Sequence, residues 1–263
     1  MTTFRRRIAA FALAPALLLA GCTTTGPSEP ATPPSAAPSD YVFPIDETGD
    51  VTFAWTAADG IDLLSPEATI VRATAEALAI AGFVGEEGAF PGLDEFWNDY
   101  LDSQTSFGLP TTLETRGKQR RVTGTRDYHI YRIGWTGDEL TAEFCIDDSY
   151  AASSFDAGAT FDWPRVAITR VTTRKLTLAR DTTDPPAPPP APTGLRAPTW
   201  NAFDGWRAID LYQSGDFDYC STWYNTRDRD PDRPYWPQYS SQDPEHRPPP
   251  GPNPPIAPPT PGW

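Results

Sequence analysis

The chain has few of the residues that most catalytic and metal sites need. It contains two histidines, one methionine and three cysteines in 263 residues. Two histidines cannot supply a zinc site built from several imidazoles, so the sequence predicts no metal and no cofactor. The chain also lacks a Gly-x-Ser-x-Gly nucleophile turn, a Gly-rich phosphate loop and a dinucleotide fingerprint. No motif therefore identifies an enzyme.

Positive charge is scarce as well. The 21 basic residues face 35 acidic ones, the formal net charge is −14, and the lysines are Lys118 and Lys175. Because an acidic surface repels nucleic acid, we expect no nucleic-acid partner. Few lysines beside abundant Ala, Pro, Arg and Asp favour a high-GC bacterial genome.

The N-terminus has the pattern of an export signal. Arginines at 5–7 precede an apolar run at 8–20 that is too short to span a bilayer comfortably. The Leu-Ala-Gly-Cys stretch at 19–22 resembles the lipobox of bacterial lipoproteins, in which the signal is cut before the cysteine and the thiol receives a diacylglyceryl group. We expect residues 1–21 to be removed and lipid on Cys22 to anchor the protein at the extracytoplasmic face of the cell membrane. An ordinary cleaved signal is the alternative.

Proline-rich segments divide the remaining chain. Residues 22–40 are predicted to form a disordered tether and residues 41–225 a single domain, which contains a Pro-rich break at 184–199. Residues 226–263 hold 13 prolines and are predicted to be a disordered, polyproline-like tail. Loss of the three signal arginines lowers the formal net charge from −14 to −17.

Two helices are predicted near the start of the domain. The first has Ser65 as N-cap, proline at the next position and Gly82 as its end. Arg72 and Glu76 lie away from its apolar face, so the helix is expected to pack on an apolar surface. The second helix is predicted in the stretch GLDEFWNDYLD at residues 92–102.

The later part of the domain is predicted to be a sheet. The stretches RDYHIYRIGW and LTAEFCID, separated by TGDE, indicate a hairpin. RVAITRVTTRKLTL indicates a third strand, and the chain around Trp206 is predicted to return as a terminal strand. Helices followed by long strands predict the α+β class: N-terminal helices packed on a curved antiparallel sheet, with disordered Pro-rich tails.

Cys145 and Cys220 are predicted to form a disulfide. Cys145 has the opposite strand phase to Leu140, Phe144 and Ile146, so it projects from the face away from the apolar stripe. Two thiols outside the membrane oxidise readily. The bond would attach the returning segment to the sheet, whereas a reactive thiol is the alternative.

The order of these elements resembles a known group of proteins. Two N-terminal helices, a following curved sheet and the strand-ending stretch FCIDDS at 144–149 resemble the uncharacterised NTF2-like (SnoaL-like) lipoproteins of actinobacteria. The resemblance covers residues 65–220, and the Pro-rich tail has no counterpart in it. It implies a cone with a pocket between sheet and helices but no particular activity, because this fold hosts enzymes and binding modules alike.

His129 is the catalytic candidate of the enzyme alternative. A SnoaL-like enzyme would use His129 as the acid/base in the pocket, with Tyr128, Tyr131 and either Asp127 or Asp147. A lone strand histidine is more often a packed residue. The sequence therefore favours a binding or interaction module over an enzyme.

Basic residues cluster in one part of this acidic chain. The candidate anion-binding residues are Arg116, Arg120, Arg121, Arg126 and Arg132. Further basic residues are expected on a neighbouring strand, namely Arg165, Arg170, Arg174 and Lys175. Such segregation of charge favours a cell-envelope polymer or an acidic protein as partner. Pairing with acidic helices of the same chain is the alternative.

Overall fold

The structure is a computed structural model that describes residues 41–97, 120–154, 156–161, 171–180, 189–212, 216–227 and 256–263. Several predictions concern residues outside these ranges. They are the signal and tether at 1–40 with Cys22, the end of the second helix at 98–102, Arg116, the start of the third strand at 165–170, part of the Pro-rich break and most of the tail.

Within the described residues, five strands form one mixed sheet in sequence order. They are β1 (Val51–Ala57), β2 (Arg121–Thr136), β3 (Glu139–Ser154), β4 (Val171–Arg180) and β5 (Trp206–Tyr212). The predicted β2–β3 hairpin and the terminal strand β5 are confirmed, as is the α+β class. The prediction of a purely antiparallel sheet is wrong, because β1 pairs in parallel with β2. A helical crossover between these two strands permits the parallel pairing.

Helices pack on both sides of this sheet. They are α1 (Ile45–Thr48), α2 (Pro66–Val84) and α3 (Phe217–Thr226), with a 3₁₀ turn at Glu86–Gly88 and a helical segment at 93–97. The predicted cap of α2 is confirmed, since the Ala68 N–H donates to Ser65 Oγ at 3.1 Å. The helix passes through Gly82 and ends before Gly85, whose φ of +105° is unfavourable for residues with a side chain.

The main core lies between α2 and the face of the sheet that carries Trp55, Tyr128 and Phe144, which we call the helix face. Trp55 stacks on Tyr128 at a centroid distance of 4.4 Å. The alternation predicted for β3 is confirmed here, because Leu140 and Phe144 are both buried in this core. Burial of large aromatic and aliphatic groups supplies the main drive for folding.

Arg72 and Glu76 lie away from the predicted apolar face of α2, and both are buried. Trp55 Nε1 and Trp263 Nε1 donate to the two Glu76 carboxylate oxygens at 2.6 and 2.7 Å. Arg72 donates to the Gly262 carbonyl at 2.7 Å and lies over the Trp263 ring. Burial raises the pKa of Glu76 to about 7. The polar side of α2 is covered because the C-terminus packs on it.

The prediction of a disordered tail is therefore wrong for residues 256–263. Thr260 forms a parallel bridge with Ala54, and the Trp55 N–H donates to the Thr260 carbonyl at 2.7 Å. Trp263 is buried in the main core. The outer edge of β1 has unpaired backbone groups that a returning segment can satisfy, and the buried indole offsets the loss of chain entropy.

Candidate functional site

Polar and aromatic side chains gather on the opposite side of the sheet, which we call the second face and which carries Asp127, His129 and Cys145. Strand alternation places these residues there, and the register pairs Asp127 with Asp147 and His129 with Cys145. The predicted disulfide between Cys145 and Cys220 is present and attaches α3 to this face.

Arg227 binds two aspartates where α3 ends. Its Nη1 lies 3.1 Å from Asp127 Oδ2, and its Nη2 is bonded to Asp147 Oδ2. Asp147 is completely buried and also accepts from the Ser149 N–H at 2.8 Å. Burial raises the pKa of Asp147, and Arg227 acts against this rise by stabilising the charged form.

The packed chain continues past residue 225, the predicted end of the domain. Residue 226 is the last of α3, and Arg227 follows it with its guanidinium against the sheet and 4.6 Å from the Trp223 ring. The domain thus includes these first residues of the predicted tail. Charge pairing with Asp127 and Asp147 explains why the chain stays on the sheet beyond residue 225.

His129 lies between the second face and the rings of α3. Its Nδ1 is 2.9 Å from Thr56 Oγ1 and its Nε2 is 3.4 Å from Tyr219 Oη. The imidazole also stacks on Trp223 at a centroid distance of 5.2 Å. Burial, with a further contribution from Arg227, lowers the pKa of His129 to about 4. At pH 7 an imidazole with this pKa is a weak base, and almost none of it is protonated to act as an acid.

The structure brings together only part of the predicted catalytic group. Tyr131 shares the second face with His129 and stacks on Tyr219 at 4.3 Å. Tyr131 also donates to Glu143 Oε2 at 2.8 Å. Tyr128 lies on the helix face, because successive strand residues point to opposite sides. Aspartates 127 and 147 are bound to Arg227, so both carboxylates are paired beneath α3.

We expect one of the two imidazole signals of the protein to titrate at about pH 4, because burial disfavours the charged form of His129. The measurement is an NMR titration of chain labelled at histidine. The His129→Gln variant assigns the signal and leaves His246 as the internal comparison. A His129 signal that titrates near pH 7 would contradict this prediction and support the proton-transfer hypothesis.

The candidate arginines lie in different places, some on either face of the sheet and some near the ends of its strands. Arg132 pairs with Glu143 of the second face at 3.1 Å, and 63% of its side chain is exposed. Arg121 passes beside Gly158, in the turn that follows β3. Arg120 and Arg126 instead lie beside Phe83, a residue of α2. The four candidate arginines that the structure describes therefore do not share one continuous surface.

Two further charged residues join Arg120 and Arg126. Arg126 binds Asp148 through Nε and Nη2 at 2.5 and 3.1 Å. Arg174, on β4, is close enough to influence these groups electrostatically and lies opposite Phe144 in the register. We expected Arg174 on a neighbouring strand but did not identify Asp148 as the partner of Arg126. Strand parity was the available signal, since it puts Asp148 on the same face as Phe144.

Comparisons of the chain with protein-family models, with curated proteins and with solved structures gave no match. The resemblance to NTF2-like lipoproteins therefore stays a prediction. None of the described helices has the length and hydropathy needed to cross a membrane. Within the same residues, no group of three or more His, Cys, Asp or Glu side chains is placed to hold a metal ion.

Proposed function

We propose that the protein is a lipid-anchored binding module on the extracytoplasmic face of the cell membrane. The observation that carries this proposal is the disulfide between Cys145 and Cys220, because such bonds persist in oxidising compartments outside the cytoplasm. The lipobox-like stretch that ends at Cys22 supports the same location. Each buried lipid methylene contributes about 0.8 kcal/mol, so two acyl chains suffice for stable anchoring.

The chemistry of the second face favours binding over catalysis. Arg227 pairs with both Asp127 and Asp147, and the low pKa of His129 makes its imidazole a weak base. These groups hold α3 in place rather than present a base to a substrate. A folded domain can act as an interaction module without any reactive group. We infer that its partner is a cell-envelope polymer or an acidic protein.

An NTF2-like fold belongs to the same proposal. Packing of α2 on one face of a five-stranded sheet supports it. The parallel pairing of β1 with β2 departs from the antiparallel sheet that we expected. Lipid attachment at Cys22 does not depend on the fold of the domain.

Replacing Cys22 with alanine is expected to release the protein from the membrane, because position 22 then has no thiol to receive the lipid. Fractionation of cells and partition into detergent measure this, and intact mass of the wild type should show the added diacylglyceryl group. The Cys145→Ala/Cys220→Ala variant is the control and should stay with the membrane. If Cys22→Ala also stays there, the anchoring proposal fails.

A further inference from the structure

Residues 256–263 lie in a groove of the domain, which we call the tail groove. Its walls are the outer edge of β1, Arg72 and Glu76 of α2, and residues 193–195. Trp263 fills one end of the groove, where its side chain is 3% exposed and its indole N–H donates to Glu76. The tail groove thus combines a strand edge with a pocket for one large aromatic ring.

The backbone of the segment is held in the way that a bound peptide is held. The N–H groups of Ala257, Thr260 and Trp263 donate to oxygen atoms of the domain at 2.9, 3.2 and 3.0 Å. The residues between these donors include prolines at 258, 259 and 261, which have no N–H to satisfy. Pairing of an extended segment with a sheet edge is a common mode of peptide recognition. The tail groove therefore accepts a proline-rich sequence.

The groove is also selective for glycine followed by tryptophan. Gly262 has a φ of +77°, and a Cβ atom at this position would lie 2.9 Å from Gly194 Cα. A residue with a side chain is therefore excluded by both backbone strain and a clash. The Trp263 ring lies 4.5 Å from the guanidinium carbon of Arg72 and donates to Glu76 at 2.7 Å. These contacts define a Pro-Gly-Trp ligand.

The chain that leads to this segment is longer than the contact requires. Arg227 binds Asp127 of β2, and Ala257 donates to Thr125 of the same strand. Thr125 and Asp127 are two residues apart, about 7 Å along a strand, so the two points of attachment are close together. Residues 228–255, which are 28 in number, connect them and could extend to about 90 Å. The segment can therefore reach the tail groove of a neighbouring molecule.

We propose that the tail groove also binds residues 256–263 of a second copy of this chain, so that two molecules exchange these segments. Exchange preserves every contact of the segment, because both copies have the same groove. The segment of the same chain competes at an effective concentration of about a millimolar, since it is tethered. Exchange is therefore expected where copies are concentrated. This inference goes beyond the binding function proposed above, and its test does not depend on the lipid anchor.

The first experiment asks whether the tail groove accepts the segment from a separate molecule. A synthetic peptide of residues 256–263 is titrated into full-length Trp263→Ala protein, whose own segment lacks the indole. We expect saturable binding by calorimetry and a rise of the urea midpoint toward the wild-type value. Wild-type protein should bind the peptide at least about tenfold more weakly, because its own segment occupies the groove.

Two altered peptides are the matched controls. The peptide with Trp263→Ala loses the buried ring, and the peptide with Gly262→Ala meets the backbone at Gly194. Each should bind to Trp263→Ala protein at least about tenfold more weakly than the natural peptide does.

The second experiment asks whether another copy supplies the segment. Ala54 and Thr260 form a bridge between β1 and the segment. Full-length Ala54→Cys and Thr260→Cys proteins are mixed, and a short bifunctional maleimide joins them only when the segment of one chain lies on β1 of the other. The joined product should increase as the protein concentration rises toward the millimolar range. Addition of Gly262→Ala to the Thr260→Cys chain should remove it, and wild-type protein measures the background from Cys22.

Each outcome decides the proposal. Peptide binding to Trp263→Ala together with a joined product that increases with concentration supports exchange between copies. Absence of peptide binding to folded Trp263→Ala protein, or absence of joined product at every concentration, would overturn it. Circular dichroism establishes that each variant is folded, and Gly262→Ala protein takes the place of Trp263→Ala if the latter is unfolded. Release of Cys22→Ala from the membrane is measured separately, so failure of exchange leaves the anchoring proposal intact.

Discussion

Replacing Trp263 with alanine is expected to lower the free energy of unfolding by about 3–5 kcal/mol, the usual effect of removing a buried large aromatic side chain. The indole contacts Phe90 and donates a hydrogen bond to Glu76, and it lies under the guanidinium of Arg72. All three contacts are lost together. Urea denaturation followed by circular dichroism measures the change.

The Trp263→Phe variant separates the hydrogen bond from the packing. Phenylalanine keeps an aromatic ring in the core but cannot donate to Glu76, so we expect a loss of about 1–3 kcal/mol. Trp263→Ala should then be the more destabilised of the two. If it unfolds at the same urea concentration as the wild type, the C-terminus does not pack on α2 in solution.

Replacing Cys145 and Cys220 together with alanine is expected to lower the free energy of unfolding by about 2–5 kcal/mol. The bond closes a loop between positions 75 residues apart, and cutting it increases the entropy of the unfolded chain. It also leaves α3 attached mainly through Arg227 and the stacked rings of Tyr219 and Trp223. The midpoint of urea unfolding measures the loss.

Reduction provides the matched control for this variant. A thiol reductant should lower the unfolding midpoint of the wild type to about that of Cys145→Ala/Cys220→Ala, and it should leave the variant unchanged. Intact mass before and after reduction reports the state of the bond. Two free thiols in the exported protein, or equal midpoints for oxidised wild type and variant, would refute the stabilising role of the disulfide.

Local patterns predicted the elements that depend on near neighbours. The α2 start follows from Ser65 and the proline after it, which act within one helical turn. The β2–β3 hairpin follows from strand alternation on either side of a short turn. The same alternation placed Cys145 on the second face, where Cys220 reaches it.

Predictions failed where contacts join distant parts of the chain. Charged residues such as Arg72 and Glu76 are usually found on the solvated side of a helix. Trp263, which covers them, lies 187 residues after Glu76. Parallel pairing of β1 depends in the same way on where α2 returns the chain. Periodicity reports which side of an element is apolar but not which segment will cover its polar side.

The candidate sites show the same division. Alternation determines that His129 and Tyr128 lie on opposite faces, because the two-residue strand repeat is a property of the backbone. The register between β2 and β3 decides that His129 shares its face with Cys145. Only the tertiary structure decides that α3 covers His129 and that Arg174 joins Arg126 near Asp148. These groups belong to separate elements, whose pairing depends on the free energy of the whole fold. The lipid anchor at Cys22 stays a prediction from sequence.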